Sequence, residues 1–139
     1  MSGFLLDTNV ISELVRSRPD LQVQSWIRHT DEELLYLSVL TLGEIRKGID
    51  SLRDDSRRLR LESWLAGDLA LRFAGRILPV DAPVADRWGR LTAAVGRSTP
   101  LSVIDGLLAA TALHHNLTLV TRNTRDVAAT KVPVINPWT

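Results

Sequence analysis

Compact apolar runs alternate along this chain with longer stretches whose apolar residues recur every three or four positions. The first pattern is that of buried strands, the second that of amphipathic helices. Phe4-Leu5-Leu6 reads as a short buried strand, and Asp7-Thr8-Asn9 as the cap of a helix running towards Arg16. A second helix follows Pro19, and Leu35-Tyr36-Leu37-Ser38 reads as another strand. From Thr41 to Leu52 the apolar residues fall at 42, 45, 49 and 52, a helical stripe. An Arg-rich helical stretch from Ser56 to about Phe73 precedes a short strand at Ile77-Leu78-Pro79-Val80. Helices are expected again from Ala82 to about Val95 and from Ser102 to His115. Leu117-Thr118-Leu119-Val120-Thr121 then gives a strand, and Val132-Pro133-Val134 an edge strand, where proline is tolerated.

Strands that alternate with helices predict an α/β fold, a parallel sheet covered on both faces. Sites in such sheets lie beyond the carboxyl ends of the strands. That directs attention to Asp7-Thr8-Asn9 after the first strand and to Arg122-Asn123 after the late one.

Asp7 has two readings, as a helix N-cap and as a metal ligand at a strand end. Glu44 sits about 80–160° from the apolar stripe of its helix, which by itself describes a solvated residue. Gly43 and Gly48 flank it, each costing a helix roughly 1 kcal/mol relative to Ala, and this suggests that something must come close. Asp105 is the only charged residue between Pro100 and His114. A helix apolar on all sides should be buried, and a buried carboxylate needs a partner or a cation. Ser102 and Asp105 also have the spacing of a capping box, and both roles can coexist. Asp126, just past the strand at 117–121, reads as a cap or as a peripheral acid. Oxygen ligands without His or Cys point to Mg²⁺ or Mn²⁺. Converging carboxylates without a cation would repel one another. Hard ions in such sites commonly serve phosphodiester hydrolysis.

Composition narrows the picture only in places. The 139 residues suit one domain over 1–139. No apolar run reaches the roughly 18 residues of a membrane span. Met1-Ser2-Gly3-Phe4-Leu5-Leu6-Asp7 has no basic segment and is not read as a signal peptide. Cysteine is absent, which excludes disulfides and thiolate metal sites and fits a reducing cytoplasm. The net charge of +1 gives no global nucleic-acid signature. Fifteen Arg against two Lys suit bidentate phosphate contacts, although codon bias gives the same imbalance. Trp26, Trp64, Trp88 and Trp138 read as core or interface residues rather than base-stacking platforms. His29, His114 and His115 show no ligand spacing with the acids.

Several segments, in this order, resemble the PIN-domain family, in its VapC-type toxins and FitB-like branch. They are Leu5-Leu6-Asp7-Thr8-Asn9-Val10-Ile11-Ser12-Glu13 and Ser38-Val39-Leu40-Thr41-Leu42-Gly43-Glu44-Ile45-Arg46-Lys47-Gly48-Ile49, followed by Asp105-Gly106-Leu107-Leu108-Ala109-Ala110-Thr111-Ala112 and Leu119-Val120-Thr121-Arg122-Asn123-Thr124-Arg125-Asp126. Gly75-Arg76-Ile77-Leu78-Pro79-Val80 and Asn136-Pro137-Trp138 also match the branch. The resemblance implies an α/β/α sandwich and a Mg²⁺-dependent endoribonuclease, with Mn²⁺ a possible substitute, acting as a toxin in a bacterial cytoplasm. It implies that Asp7, Glu44 and Asp105 bind the metal and that Asn123 or Asp126 completes the catalytic site. Thr8, Asn9 and Thr121 would orient carboxylates or water by hydrogen bonds. Asn123 stands where some relatives carry Asp, which removes one anionic ligand. The corresponding mechanism has water, activated by the ion, attacking an RNA phosphodiester in line, with Arg122 or Arg125 holding the backbone. The implied partners are RNA, a second copy in a homodimer, and a small DNA-binding antitoxin of the VapB type that forms larger hetero-oligomers with the toxin.

Two other readings compete. A phosphatase with Asp7 as nucleophile needs a second Asp two residues on, where this chain has Asn9. A non-catalytic PIN scaffold would bind RNA or a protein without needing Asp7, Glu44 and Asp105.

Overall fold

A computed structural model describes residues 2–139, and Met1, where the expected domain begins, lies outside the described residues. The first half of the chain forms β1 (Phe4–Leu6), α1 (Thr8–Leu14), α2 (Leu21–His29), β2 (Leu35–Ser38), α3 (Val39–Asp50) and α4 (Asp55–Trp64). It continues through a π turn at Leu65–Leu69 into α5 (Ala70–Arg72) and β3 (Ile77–Leu78). The second half forms α6 (Ala82–Val95), α7 (Val103–His114), β4 (Thr118–Val120), α8 (Thr124–Val127) and β5 (Val134–Ile135). All five strands are parallel, in the order β3-β2-β1-β4-β5.

Alternation along the strands divides the core into two layers. Leu6 and Val120 point to one face, with Val10, Ile11, Ile45 and Phe73. Leu5 and Leu119 point to the other, against Leu108, Ala109 and Ala112 of α7. The chain is thus the expected α/β/α sandwich. Residues 106 and 108–112 of α7 are buried, as its uniformly apolar sequence requires. Gly106 is a glycine that a close approach demands, as Gly3 is beside Leu34 O. A Cβ at Gly106 would lie 2.9 Å from Trp88 Nε1 of α6.

The edge strand lies later than expected, at Val134–Ile135 rather than around Pro133. Proline has no N–H to give, but its carbonyl still accepts from Leu119 N at 2.9 Å. Pairing then runs on through Leu119↔Val134 and Val120↔Ile135. The strand at 77–80 is also shorter than expected and ends at Leu78. Among the described residues no helix is long and apolar enough to cross a membrane.

Candidate active site

In this strand order, β2 and β3 lie to one side of β1, and β4 and β5 to the other. The crevice at the carboxyl ends of β1 and β4 is therefore a topological switch point, where parallel sheets open to ligands. Asp7 leaves β1 at this point, and its N–H donates to Val120 O of β4 at 2.9 Å.

Asp7 does cap α1, but in an uncommon way. N-cap side chains usually accept from the second or third helical N–H. Here Asp7 Oδ1 accepts from Thr8 N at 2.7 Å. Oδ2 accepts from Thr121 Oγ1 at 2.8 Å, across the sheet. Thr121 Oγ1 in turn accepts from Asn9 Nδ2 at 3.3 Å and from Asn123 N at 3.1 Å. Thr8, Asn9 and Thr121 thus hydrogen-bond the carboxylate from both flanks.

Glu44 departs from the solvated reading. It is half-buried, and its Oε1 accepts from Thr8 Oγ1 at 2.6 Å. Thr41 Oγ1 lies 3.4 Å from the same hydroxyl. Thr41 is a buried residue to which sequence reasoning gave no role, although it stands three positions before Glu44 on the same helix face. No part of the chain packs closely on Gly43 or Gly48, and a Cβ at either would meet nothing within 4 Å. They instead floor an open groove of about 620 Å³, with Val39, Leu40, Val80 and Ile104 among its walls. Glu44 also borders a second groove, which runs past Ser12, Arg16 and Arg57 to Trp64.

Asp105 is half-exposed rather than buried. It lies in the first turn of α7, where the helix meets solvent. Its N–H donates to Ser102 Oγ at 3.1 Å, one arm of the capping box. Burial raises the Asp7 carboxyl above its ordinary value of 3.8, the hydrogen bonds from Thr121 and Thr8 lower it, and the charges of Glu44 and Asp105 raise it again. The fold therefore brings Glu44 and Asp105 each within electrostatic reach of Asp7. Asn123 and Asp126 are exposed at the start of α8, Asn123 reaching Thr121 through its backbone alone. Arg122 and Arg125 are both exposed.

Three carboxylates with hydroxyl and amide support form an oxygen-only donor set, the chemistry of a hard divalent cation. They are not closed around one point, since among the described residues no three His, Cys, Asp or Glu side chains stand at ligating distance of a common ion. The charge on Asp7 is nevertheless disfavoured by both burial and repulsion, a conflict that a cation relieves.

Known proteins resemble this chain in sequence and in fold. The chain is 40% identical over 135 residues to Toxin FitB of Neisseria gonorrhoeae, covering 96% of this chain and 97% of that protein. It is 38% identical over 135 residues to VapC ribonuclease Y4jK of Sinorhizobium fredii, covering 96% of each. The crystal structure of FitAcB from Neisseria gonorrhoeae superposes with a TM-score of 0.92 at 39% identity, over 97% of this chain and 98% of that one. The model of the PIN domain matches residues 4–132. With that match and these relatives, the chain belongs to the PIN-domain family.

Proposed function

We propose that this chain, acting as one PIN domain, is the toxin of a toxin–antitoxin pair and a divalent-metal-dependent endoribonuclease. Mg²⁺ is its ion, and Mn²⁺ can substitute. The observation that carries the reading is the gathering of Asp7, Glu44 and Asp105 at the carboxyl ends of β1 and β4. The names of the relatives, a toxin and a VapC ribonuclease, favour it.

Asp7, Glu44 and Asp105 would hold the cation, which when bound acidifies water and neutralises charge on a phosphate. The chain's own groups prepare that site. Thr121 Oγ1 and Thr8 N fix both oxygens of Asp7, so the carboxylate needs no reorganisation on binding. The Thr8 hydroxyl aims Glu44 into the crevice from α3. Asn9 links the Asp7 and Thr121 side chains, at 3.5 Å and 3.3 Å, and keeps strands β1 and β4 in register at the site. Asn123 and Asp126 are assigned to its periphery, and Arg122 and Arg125 to the RNA backbone.

A short RNA incubated with the pure protein should be cut internally with Mg²⁺ or Mn²⁺ and left intact with EDTA. No cleavage under any divalent ion by folded protein would favour the scaffold reading, for which the open arrangement of the three carboxylates speaks.

A nuclease acting in the cytoplasm has to be restrained. We assign that task to a small DNA-binding antitoxin that lays an apolar segment into the groove floored by Gly43 and Gly48. A basic side chain on that segment would reach Glu44 and compete with the cation. Induction of the toxin alone should arrest growth, and co-expression of the antitoxin should restore it. Normal growth and intact RNA despite soluble, folded toxin would reject the toxin reading while leaving the fold untouched.

A homodimer is part of the same proposal. Leu59, Leu71 and Val103 are large exposed apolar residues on three different helices, surface that a second copy would cover. Light scattering should return twice the chain mass of 15.4 kDa, and a value at the single-chain mass at high concentration would reject the dimer.

A further inference from the structure

Two arginines follow β4, and the fold treats them differently. Arg125 is exposed on α8. Arg122 is the residue next to Thr121, the hydroxyl donor to Asp7. Its N–H donates to Asn9 Oδ1 at 3.4 Å. Through Asn9 and Thr121, one hydrogen-bonded network runs from the Asp7 carboxylate to the Arg122 backbone.

The side chain is tethered as well. Arg122 Cζ lies 5.2 Å from the centroid of the Trp138 ring. Trp138 follows β5, is half-buried, and packs against the core layer of Leu6 and Val120. Its backbone N–H donates to Asn136 Oδ1 at 2.9 Å, while the ring packs on that core layer. The indole is therefore anchored to the fold on one side and carries a guanidinium on another. A guanidinium stacked on an indole keeps its in-plane N–H donors free for other partners.

Arg122 also lacks a carboxylate. Arg16, Arg46, Arg58, Arg72, Arg76 and Arg90 each lie within 4 Å of one. Among the described residues Arg122, like eight other arginines, makes no such pair, and among these it is the one whose backbone joins the hydrogen-bonded network of Asp7. The fold thus holds an uncompensated cation, in a restricted orientation, where a polyanion must approach three carboxylates that repel it.

We propose that Arg122, held on Trp138, binds an RNA phosphate next to the cleavage site, and that Trp138 positions Arg122 rather than stacking on a base. The inference rests on the ribonuclease reading for its ligand but not on cleavage for its test. The contact is to the backbone and is therefore indifferent to sequence. A fork of planar donors meets a phosphate through two hydrogen bonds. Arg125, with no tether of this kind, contributes only its charge.

The experiment measures binding of a fluorescein-labelled single-stranded RNA of mixed sequence to the full chain over a range of KCl concentrations, in EDTA, with melting temperatures recorded for every variant. Arg122→Ala should weaken binding about tenfold at low salt and reduce the slope of log K against log salt by about 0.7, the value for one phosphate on a single strand. Trp138→Leu should weaken binding less and keep the slope, because the charge remains. Its effect should vanish in the Arg122→Ala background, and Trp138→Phe, which restores a ring face, should recover most of the affinity. Unchanged affinity and slope in Arg122→Ala, which is exposed and should fold normally, would overturn the proposal. So would a Trp138→Leu defect of the same size with and without Arg122, which would make the indole a base platform. Wild-type protein that binds RNA with these dependences but never cuts it would end the nuclease reading and leave this inference standing. Wild-type protein that binds no RNA would end both.

Discussion

Replacing Asp7 with Asn is expected to lower RNA cleavage by at least about a hundredfold, on the scale of removing one preorganised group from a reacting centre, while the protein stays folded. Both parts follow from how Asp7 is held. Asn is as good an N-cap as Asp, and its Oδ1 can still accept from Thr8 N or Thr121 Oγ1. What disappears is the negative charge that would hold a cation at the end of β1. The charge is also a burden on the fold, because burial and the neighbouring Glu44 and Asp105 raise the folded carboxyl above its ordinary value of 3.8. A carboxyl raised in this way destabilises the native state at pH above the folded value. The penalty fades as pH falls through the folded value towards 3.8, where the unfolded chain is protonated too. In EDTA at neutral pH, Asp7→Asn should therefore melt no lower than wild type, and the difference should shrink on acidification. A pure, folded Asp7→Asn protein that cuts RNA at the wild-type rate would reduce Asp7 to a helix cap. A variant that melts lower at neutral pH would show that its charge supports the fold.

The strands and helices were legible because local pattern and tertiary placement agree for most of them. Leu5 and Leu6 alternate between two core layers, and the single acid that follows them falls at the switch point of the sheet. Thr8 and Asn9 stand beside that acid at the strand end, while the role expected of Thr121 came from the family resemblance. Glu44 was not legible from periodicity, because its partner is a hydroxyl on another helix. Thr8 Oγ1 reaches it across 36 positions of chain, and a helical wheel contains no such information. The two glycines beside Glu44 mark open space, which periodicity does not show either. A glycine can clear space for a neighbour or leave a groove open, and Gly43 and Gly48 do the second, whereas Gly106 does the first for Trp88 of a different helix. Asp105 was expected to be buried because its helix is apolar all round, but the first turn of a buried helix can still meet solvent. The slip of the last strand past Pro133 and the π turn at Leu65–Leu69 depend on hydrogen-bond choices that composition does not encode. The pairing of Arg122 with Trp138 joins residues that follow two adjacent strands, so it became visible only with the strand order.

Adding Mg²⁺ to metal-free protein is expected to raise its melting temperature, and EDTA to reverse the rise. A ligand that binds only the native state adds about 2.7 kcal/mol at a hundredfold excess over Kd. For a chain of this length that is a shift of roughly 10 °C. Gathering three carboxylates is unfavourable in their absence of a counter-charge, and the raised carboxyl of Asp7 records that cost. A cation removes the repulsion, so part of its binding energy appears as stability of the fold. Protons compete with it for the same group. Because Asp7 holds its proton above the ordinary carboxylate value, the Mg²⁺ increment should begin to fail at a higher pH on acidification than at a site built from ordinary carboxylates. Mn²⁺ should stabilise in the same way, as another hard ion suited to oxygen ligands. Asp7→Asn should lose most of the increment, while Arg122→Ala should keep it, since its guanidinium has no place among the metal ligands. If the wild-type melting temperature is indifferent to Mg²⁺, Mn²⁺ and EDTA at neutral pH, the three carboxylates do not form a metal site in the free protein. An increment that survives Asp7→Asn intact would place the ion elsewhere on the molecule.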